Sequence, residues 1–208
     1  MRLGVDIFRH FLIYHHFNNS LTLFHGPVDT INATIEDYSN DFVNIRPILF
    51  NLLVKKCEEQ IAIEYLNAIF SRKMKDCDAI VVSQMGERME READQLERFI
   101  SLLLANNNDG THETSWEIRP LESVKMSADI LRCSKEMMNL DIQTIMNRFK
   151  GCQGKHIKEL LLLRNDLNKT DIAEMIEPFG DKNLAPHKLK AGVPSVFHNV
   201  TLQTGWFG

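Results

Sequence analysis

Apolar positions recur at helical spacing along most of the chain. The longest run begins at Ile45-Arg46-Pro47 and continues through Ile48, Leu49, Leu52 and Leu53 to Ile61, Ile63, Leu66, Ile69 and Phe70. Proline suits the first turn of a helix, where its missing N–H is not needed. Unbroken to Asp76, this helix would span roughly 45 Å at about 1.5 Å per residue. A second long helix is predicted from Met85, Met89, Ala93, Leu96, Phe99, Ile100 and Leu103, with Ser83 or a neighbour as its cap. Its outer face carries Glu87, Arg88, Glu90, Arg91, Glu92, Asp94, Glu97 and Arg98. Two long helices so closely joined predict an antiparallel hairpin that shares an apolar seam. Ahead of them, after Gly26-Pro27, a shorter helix is predicted from Val28 to Val43. Ile31, Ile35, Tyr38 and Phe42 share one of its stripes, and Asp29 serves as cap or first-turn acid.

The pattern changes after the second long helix. Asn106 to Ser115 is polar and turn-rich and reads as a loop, and Trp116 behind it reads as a core or lid residue. Pro120 then opens a helix through Leu121, Val124, Ala128, Ile130 and Leu131. Another follows Asn139 to Asp141, with Ile142, Ile145, Met146 and Phe149 inward. A third runs from about Lys155 with Ile157, Leu160, Leu161 and Leu163. The fourth is short: Asn168, Thr170 or Asp171 caps it, Ile172, Met175 and Ile176 face inward, and Pro178 stops it. From Phe179 onward prolines and glycines interrupt the pattern, and a tail is expected rather than a packed element. The predicted fold is all-α: a long antiparallel helical hairpin followed by a small bundle of shorter helices. Residues 1–26 form a separate N-terminal segment, 27–178 a helical-bundle domain, and 179–208 an irregular tail.

Composition agrees with helices. Only 10 glycines, 6 prolines and 8% aromatic residues among 208 disfavour a turn-rich β architecture. A net charge of −4 exerts no overall pull toward nucleic acid, so no nucleic-acid partner is expected. Cys57, Cys77, Cys133 and Cys152 are scattered without a CxxC pair and read as reduced thiols of a cytoplasmic protein. Val5 to Phe17 is an apolar run broken by Arg9, His10, His15 and His16. It is too short and polar to span a membrane and reads as a helix end, with a membrane-surface anchor as the alternative. His10 and His15 lie five apart and so do not share a helix face as metal ligands would.

Catalytic chemistry is not visible. There is no Gly-rich phosphate cradle, no G-x-S-x-G and no H-E-x-x-H. The carboxylates of Glu58-Glu59 and Glu90/Glu92 lie on charge-rich helices and read as solvated faces. The chain is therefore read as not an enzyme and as needing no cofactor.

A family resemblance sharpens this reading. Ala33-Thr34-Ile35-Glu36-Asp37-Tyr38, Asn40-Asp41-Phe42, Arg46-Pro47-Ile48-Leu49-Phe50, Val54 and Glu64-Tyr65-Leu66 resemble the C-terminal region of the exocyst complex component three family. The resemblance continues through Glu87-Arg88-Met89 and Glu92-Ala93-Asp94-Gln95-Leu96, then His156-Ile157, Leu160-Leu161 and Leu163-Arg164-Asn165-Asp166. It covers about Val28 to Pro178, in order. Family members are several times longer, with Gly where Asn165 stands, so the resemblance places this chain at the C-terminal end of a helical rod.

The resemblance implies a non-enzymatic subunit of the exocyst vesicle-tethering complex. It would bind other exocyst subunits and SNARE proteins to dock secretory vesicles at the plasma membrane, from the cytoplasmic side. Candidate partner-binding residues are Arg88, Arg91, Arg98 and Arg164, on the flanks of the long helices and the small bundle. The family also includes a tumour-necrosis-factor-induced relative that shapes membrane nanotubes. That relative implies an alternative in which Arg72, Lys73 and Lys75, or Lys182, Lys188 and Lys190, bind anionic phospholipids.

Overall fold

The computed structural model describes residues 27–41, 46–71, 78–106, 117–179 and 195–202. These residues are overwhelmingly helical, with no strand among them. The helices are α1 (Pro27–Asp41), α2 (Pro47–Phe70), α3 (Ala79–Asn106), α4 (Glu122–Arg132), α5 (Lys135–Arg148), α6 (Gly154–Leu161), α7 (Lys169–Ile176) and α8 (Val196–Asn199). A 3₁₀ turn, Glu177–Phe179, closes α7 at Pro178 as the sequence predicts.

Helix α2 is the central element. Pro47 occupies its first turn. It is described to Phe70 with Ser71 as its C-cap, where the Ser71 N–H returns to Asn67 O and the Ser71 hydroxyl donates to Ala68 O; the predicted continuation to Asp76 falls on residues outside the described ones. Its 24 residues span roughly 36 Å. The C-terminal half, Ile61 to Phe70, is buried on nearly every side. A helix apolar all round must be enclosed, and the other elements surround it. The first two turns differ. Ile48, Leu49 and Leu52, which the apolar pattern assigns to the seam, stand exposed, while Phe50 and Val54 face inward.

Helix α3 begins earlier than predicted. Asp78 Oδ1 accepts the Val81 N–H at 2.9 Å and caps it, and Ser83 lies within the helix. Met89, Ala93, Leu96, Ile100 and Leu104 form its buried stripe. The two long helices run antiparallel. The Tyr65 hydroxyl of α2 donates to Glu92 Oε2 of α3 at 2.7 Å, while Glu58, two turns earlier on α2, shares Arg119 with Ser101, more than two turns later on α3.

The closest helix pairing is α3 against α4 rather than α3 against α2. Small residues permit it. A Cβ on Gly86 would lie 2.6 Å from Arg132 Cγ and 3.0 Å from Ala128 O, so the backbones meet there only because Gly86 has no side chain. Ser123 and Ser127 of α4 are buried, and their hydroxyls donate to Pro120 O and Ser123 O.

The shorter helices complete the bundle. Helix α5 starts at Lys135 behind Ser134, a turn before the predicted Asn139–Asp141 start, and buries Met138 as well as Ile142 and Ile145. In α7, Asn168 proves to be the cap. Its side chain accepts the Asp171 N–H at 2.8 Å and Asp171 Oδ2 accepts the Asn168 N–H in return. One expectation fails in the tail. Residues 195–202 are packed, with Val196, Phe197 and Val200 buried against the domain. Their apolar pattern is too short to register as an element by periodicity.

Candidate partner-binding faces

The exposed stripe of α3 runs through Gln84, Glu87, Arg91, Gln95, Arg98 and Leu102. Arg91 and Arg98 are seven residues apart and therefore share this face. Arg98 Nε also donates to Asp94 O at 3.1 Å, and Gln95 Nε2 donates to Asp29 Oδ1 of α1 at 2.8 Å. In the first two turns of α2, Ile48, Leu49 and Leu52 form an exposed apolar row. Leu102 on α3 is 62% exposed, and Met137 and Leu140 are exposed on α5. Arg91 and Arg98 thus stand where a partner could reach them.

The other predicted contact residues have different fates. Arg88 is half-buried and its Nε donates to Glu92 Oε1 at 2.8 Å. Arg164 is a correction: it is only 8% exposed. Its guanidinium donates to Ile130 O at 3.0 Å and Cys133 O at 2.6 Å, and makes a bidentate pair with Asp166. It thereby satisfies carbonyls at the end of α4 and is not available to a partner. Hydrogen bonds from Arg164 hold the Asp166 carboxyl below its ordinary range. Arg72, Lys73, Lys75, Lys182, Lys188 and Lys190 lie outside the described residues, as do residues 1–26, Trp116 and most of the polar loop before it.

The carboxylates predicted to line solvated faces are mostly internal. Glu58 is fully buried. Arg119 Nε and Nη2 donate to its two oxygens at 3.1 and 3.0 Å, while Arg119 Nη1 donates to Ser101 Oγ at 2.7 Å. Arg119 thus fastens the segment before α4 across α2 and α3. Burial raises the Glu58 carboxyl above its ordinary range, with Arg119 opposing. Glu59 is buried too, and burial opposes its ionisation. Hydrogen bonds from Lys56 and from the N–H and hydroxyl of Ser195 outweigh this and hold its carboxyl below the usual range. Glu92 is held by Tyr65 and Arg88.

The sequence reading did not single out Arg119. Its partner Glu58 is 61 positions away, and no local motif joins them. No local signal marks Glu58 as internal, since Lys55, Lys56, Glu59 and Gln60 flank it in a polar stretch.

An open cleft of about 390 Å³ lies along α3 and α4, lined by Glu90, Glu97, Arg119, Glu122, Lys125 and Asp129 among others. Its charges pair with one another and with their neighbours. Lys125 bridges Asp94 and Glu97, Arg132 bridges Glu90 and Asp129, and Arg148 pairs with Glu122. The thiols of Cys57 and Cys133 are each pushed up to about 11, chiefly by burial, which keeps them protonated and poorly nucleophilic at neutral pH. Among the described residues, no group of His, Cys, Asp and Glu is arranged to hold a metal ion, and no helix is long and apolar enough to cross a membrane.

Comparison with known proteins gives a consistent set of relatives. The chain is 24% identical over 154 residues to an exocyst complex component 3 from Drosophila melanogaster, covering 72% of this chain and 19% of that protein. It is 22% identical over 169 residues to an exocyst complex component 3-like protein from Danio rerio, covering 81% of this chain and 20% of the relative. A Caenorhabditis elegans exocyst complex component 3 is 20% identical over 146 residues, covering 69% and 18%. The chain spans about a fifth of the length of these curated relatives. No solved structure is significantly similar. The family model described as exocyst complex component Sec6 matches residues 23–169, well over half of the chain, and the chain therefore belongs to that family.

Proposed function

We propose that this chain is a helical segment of a non-enzymatic exocyst subunit. It binds other subunits of the vesicle-tethering complex and the SNARE proteins, and so docks secretory vesicles at the plasma membrane from the cytoplasm. The observation that carries this reading is the family match over residues 23–169. On this reading residues 27–178 are the binding domain, with residues 195–202 added to its core.

The exposed side of α3 with Arg91 and Arg98, together with the apolar row Ile48, Leu49 and Leu52, is the surface assigned to other subunits. Its geometry supports the assignment. An exposed apolar row and exposed, separated charges are the two components of a protein interface, a desolvated centre and a polar rim. The internal ion pairs, by contrast, are already engaged.

The test is co-sedimentation of the purified chain with the remaining purified exocyst subunits. The reading predicts a defined complex, weakened by Leu49→Asp with Leu52→Asp, and formed more slowly and with altered salt dependence by Arg91→Glu with Arg98→Glu. No association of the folded chain with any subunit at micromolar concentration would contradict it.

A further inference from the structure

Residues 195–202 rejoin the domain beyond the family-matched span and lie along α2 beside the C-terminal end of α5 and the first turn of α6. Polar clamps hold the segment at both ends. Glu59 Oε1 accepts the Ser195 N–H at 2.7 Å and the Ser195 hydroxyl at 2.9 Å. Asn67 Oδ1 accepts the Thr201 N–H at 2.7 Å. These anchors sit about 12 Å apart along the α2 axis, so the segment runs in the same direction as α2.

Between the clamps the groove is apolar and shaped. The Phe197 ring meets Phe149 edge-on at 5.8 Å and His156 at 5.3 Å, and Phe70 lies behind His156 at 6.4 Å. Gly151 lies at the rim: a Cβ there would come within 2.8 Å of the His198 ring, which is otherwise exposed. The segment itself is a single helical turn, Val196–Asn199, with Val196, Phe197 and Val200 inward and His198 and Asn199 outward. The Asn199 amide donates back to Ser195 O and Oγ.

This is the arrangement by which a groove recognises a short helical peptide: main-chain N–H groups caught at each end and an aromatic anchor in a pocket between them. We propose that the groove is a peptide-docking site whose resident ligand is the chain's own residues 195–202, and that it accepts in trans a partner segment of the same chemistry, a hydroxyl residue followed by Val-Phe and a further valine three positions on. Docked in cis, the segment closes the site. Released, it opens a surface for a partner, so the domain carries its own competitor.

The experiment titrates a fluorescent peptide of residues 194–202 into the full chain and into the full chain carrying Phe197→Ala. Cis docking lowers the apparent affinity in proportion to the fraction of chains whose groove is free, so the variant binds the peptide more tightly than the unaltered chain, by about tenfold for roughly one free groove in ten, saturating at one per chain. Adding Glu59→Ala to the Phe197→Ala chain removes most of that binding. Since Phe197→Ala could destabilise the domain, a second protein carries a protease site in place of residues 184–189 and is cut after folding. Its C-terminal piece then exchanges with the labelled peptide. Saturable binding by either folded protein, lost with Glu59→Ala, supports the proposal. No saturable binding by the cut protein, or equal affinity of the unaltered and Phe197→Ala chains, overturns it.

Discussion

Acid should unfold this domain through His156. The side chain is only 2% exposed, enclosed by Phe70 and Phe197, and its Nδ1 accepts the Gln153 N–H at 3.0 Å. Burial, with repulsion from Lys155 and His198 added, lowers it from 6.5 to about 4. Between those values the unfolded chain holds the proton and the folded chain does not, so stability falls as pH drops from about 7 and levels off below about 4. The linkage is worth about 2 kcal/mol between pH 7 and pH 5.

His156→Gln supplies the control. It occupies the third position of α6, where a glutamine side chain can also reach back to the Gln153 N–H, but it does not titrate. Glu58, raised by burial, changes stability in the opposite sense over part of this range. The difference between the two proteins, rather than either slope alone, therefore isolates the histidine. Urea unfolding followed by far-UV circular dichroism at pH 7 and pH 5 measures it. The unaltered chain should lose about 2 kcal/mol more than His156→Gln. Equal losses would refute the reasoning, because they would mean that His156 is not held neutral by its surroundings.

Four further outcomes follow from the packing. Arg119→Ala strands the buried Glu58 carboxylate and should cost about 3 kcal/mol in chemical unfolding, with part of the loss recovered by adding Glu58→Gln. Gly86→Val forces α3 away from Ala128 and Arg132 and should lower the thermal midpoint by roughly 8 °C, for a loss of about 2 kcal/mol. Arg164→Ala leaves the Ile130 and Cys133 carbonyls without their guanidinium partner and should cost about 2 kcal/mol. Arg91→Ala on the exposed face should change stability by less than about 0.5 kcal/mol.

The helices were legible because their apolar spacing is long and regular. Pro47 marked the start of α2, Pro120 lay just ahead of α4, and Asn168 was among the possible caps of α7. The end of α2 was not legible, since Lys73 and Met74 are as helix-compatible in sequence as the residues before them. The exposed charges were half legible. Arg91 and Arg98 are where a charged outer face should be, but Arg164 has the same appearance in sequence and turns inward, because the carbonyls it serves come from α4, over thirty positions away. Glu58 and Arg119 fail for the same reason: which charges are internal depends on which helices enclose them. Residues 195–202 were hidden because a single turn with three apolar residues carries no periodicity.

Affinity purification of the tagged chain from a lysate of its own cells at moderate salt, with co-purifying proteins quantified by mass spectrometry, tests the tethering role directly. A tethering subunit should bring down several exocyst subunits in near-stoichiometric amounts, reduced when Leu49→Asp and Leu52→Asp are introduced together. Recovery of the folded chain without any exocyst subunit would contradict that role.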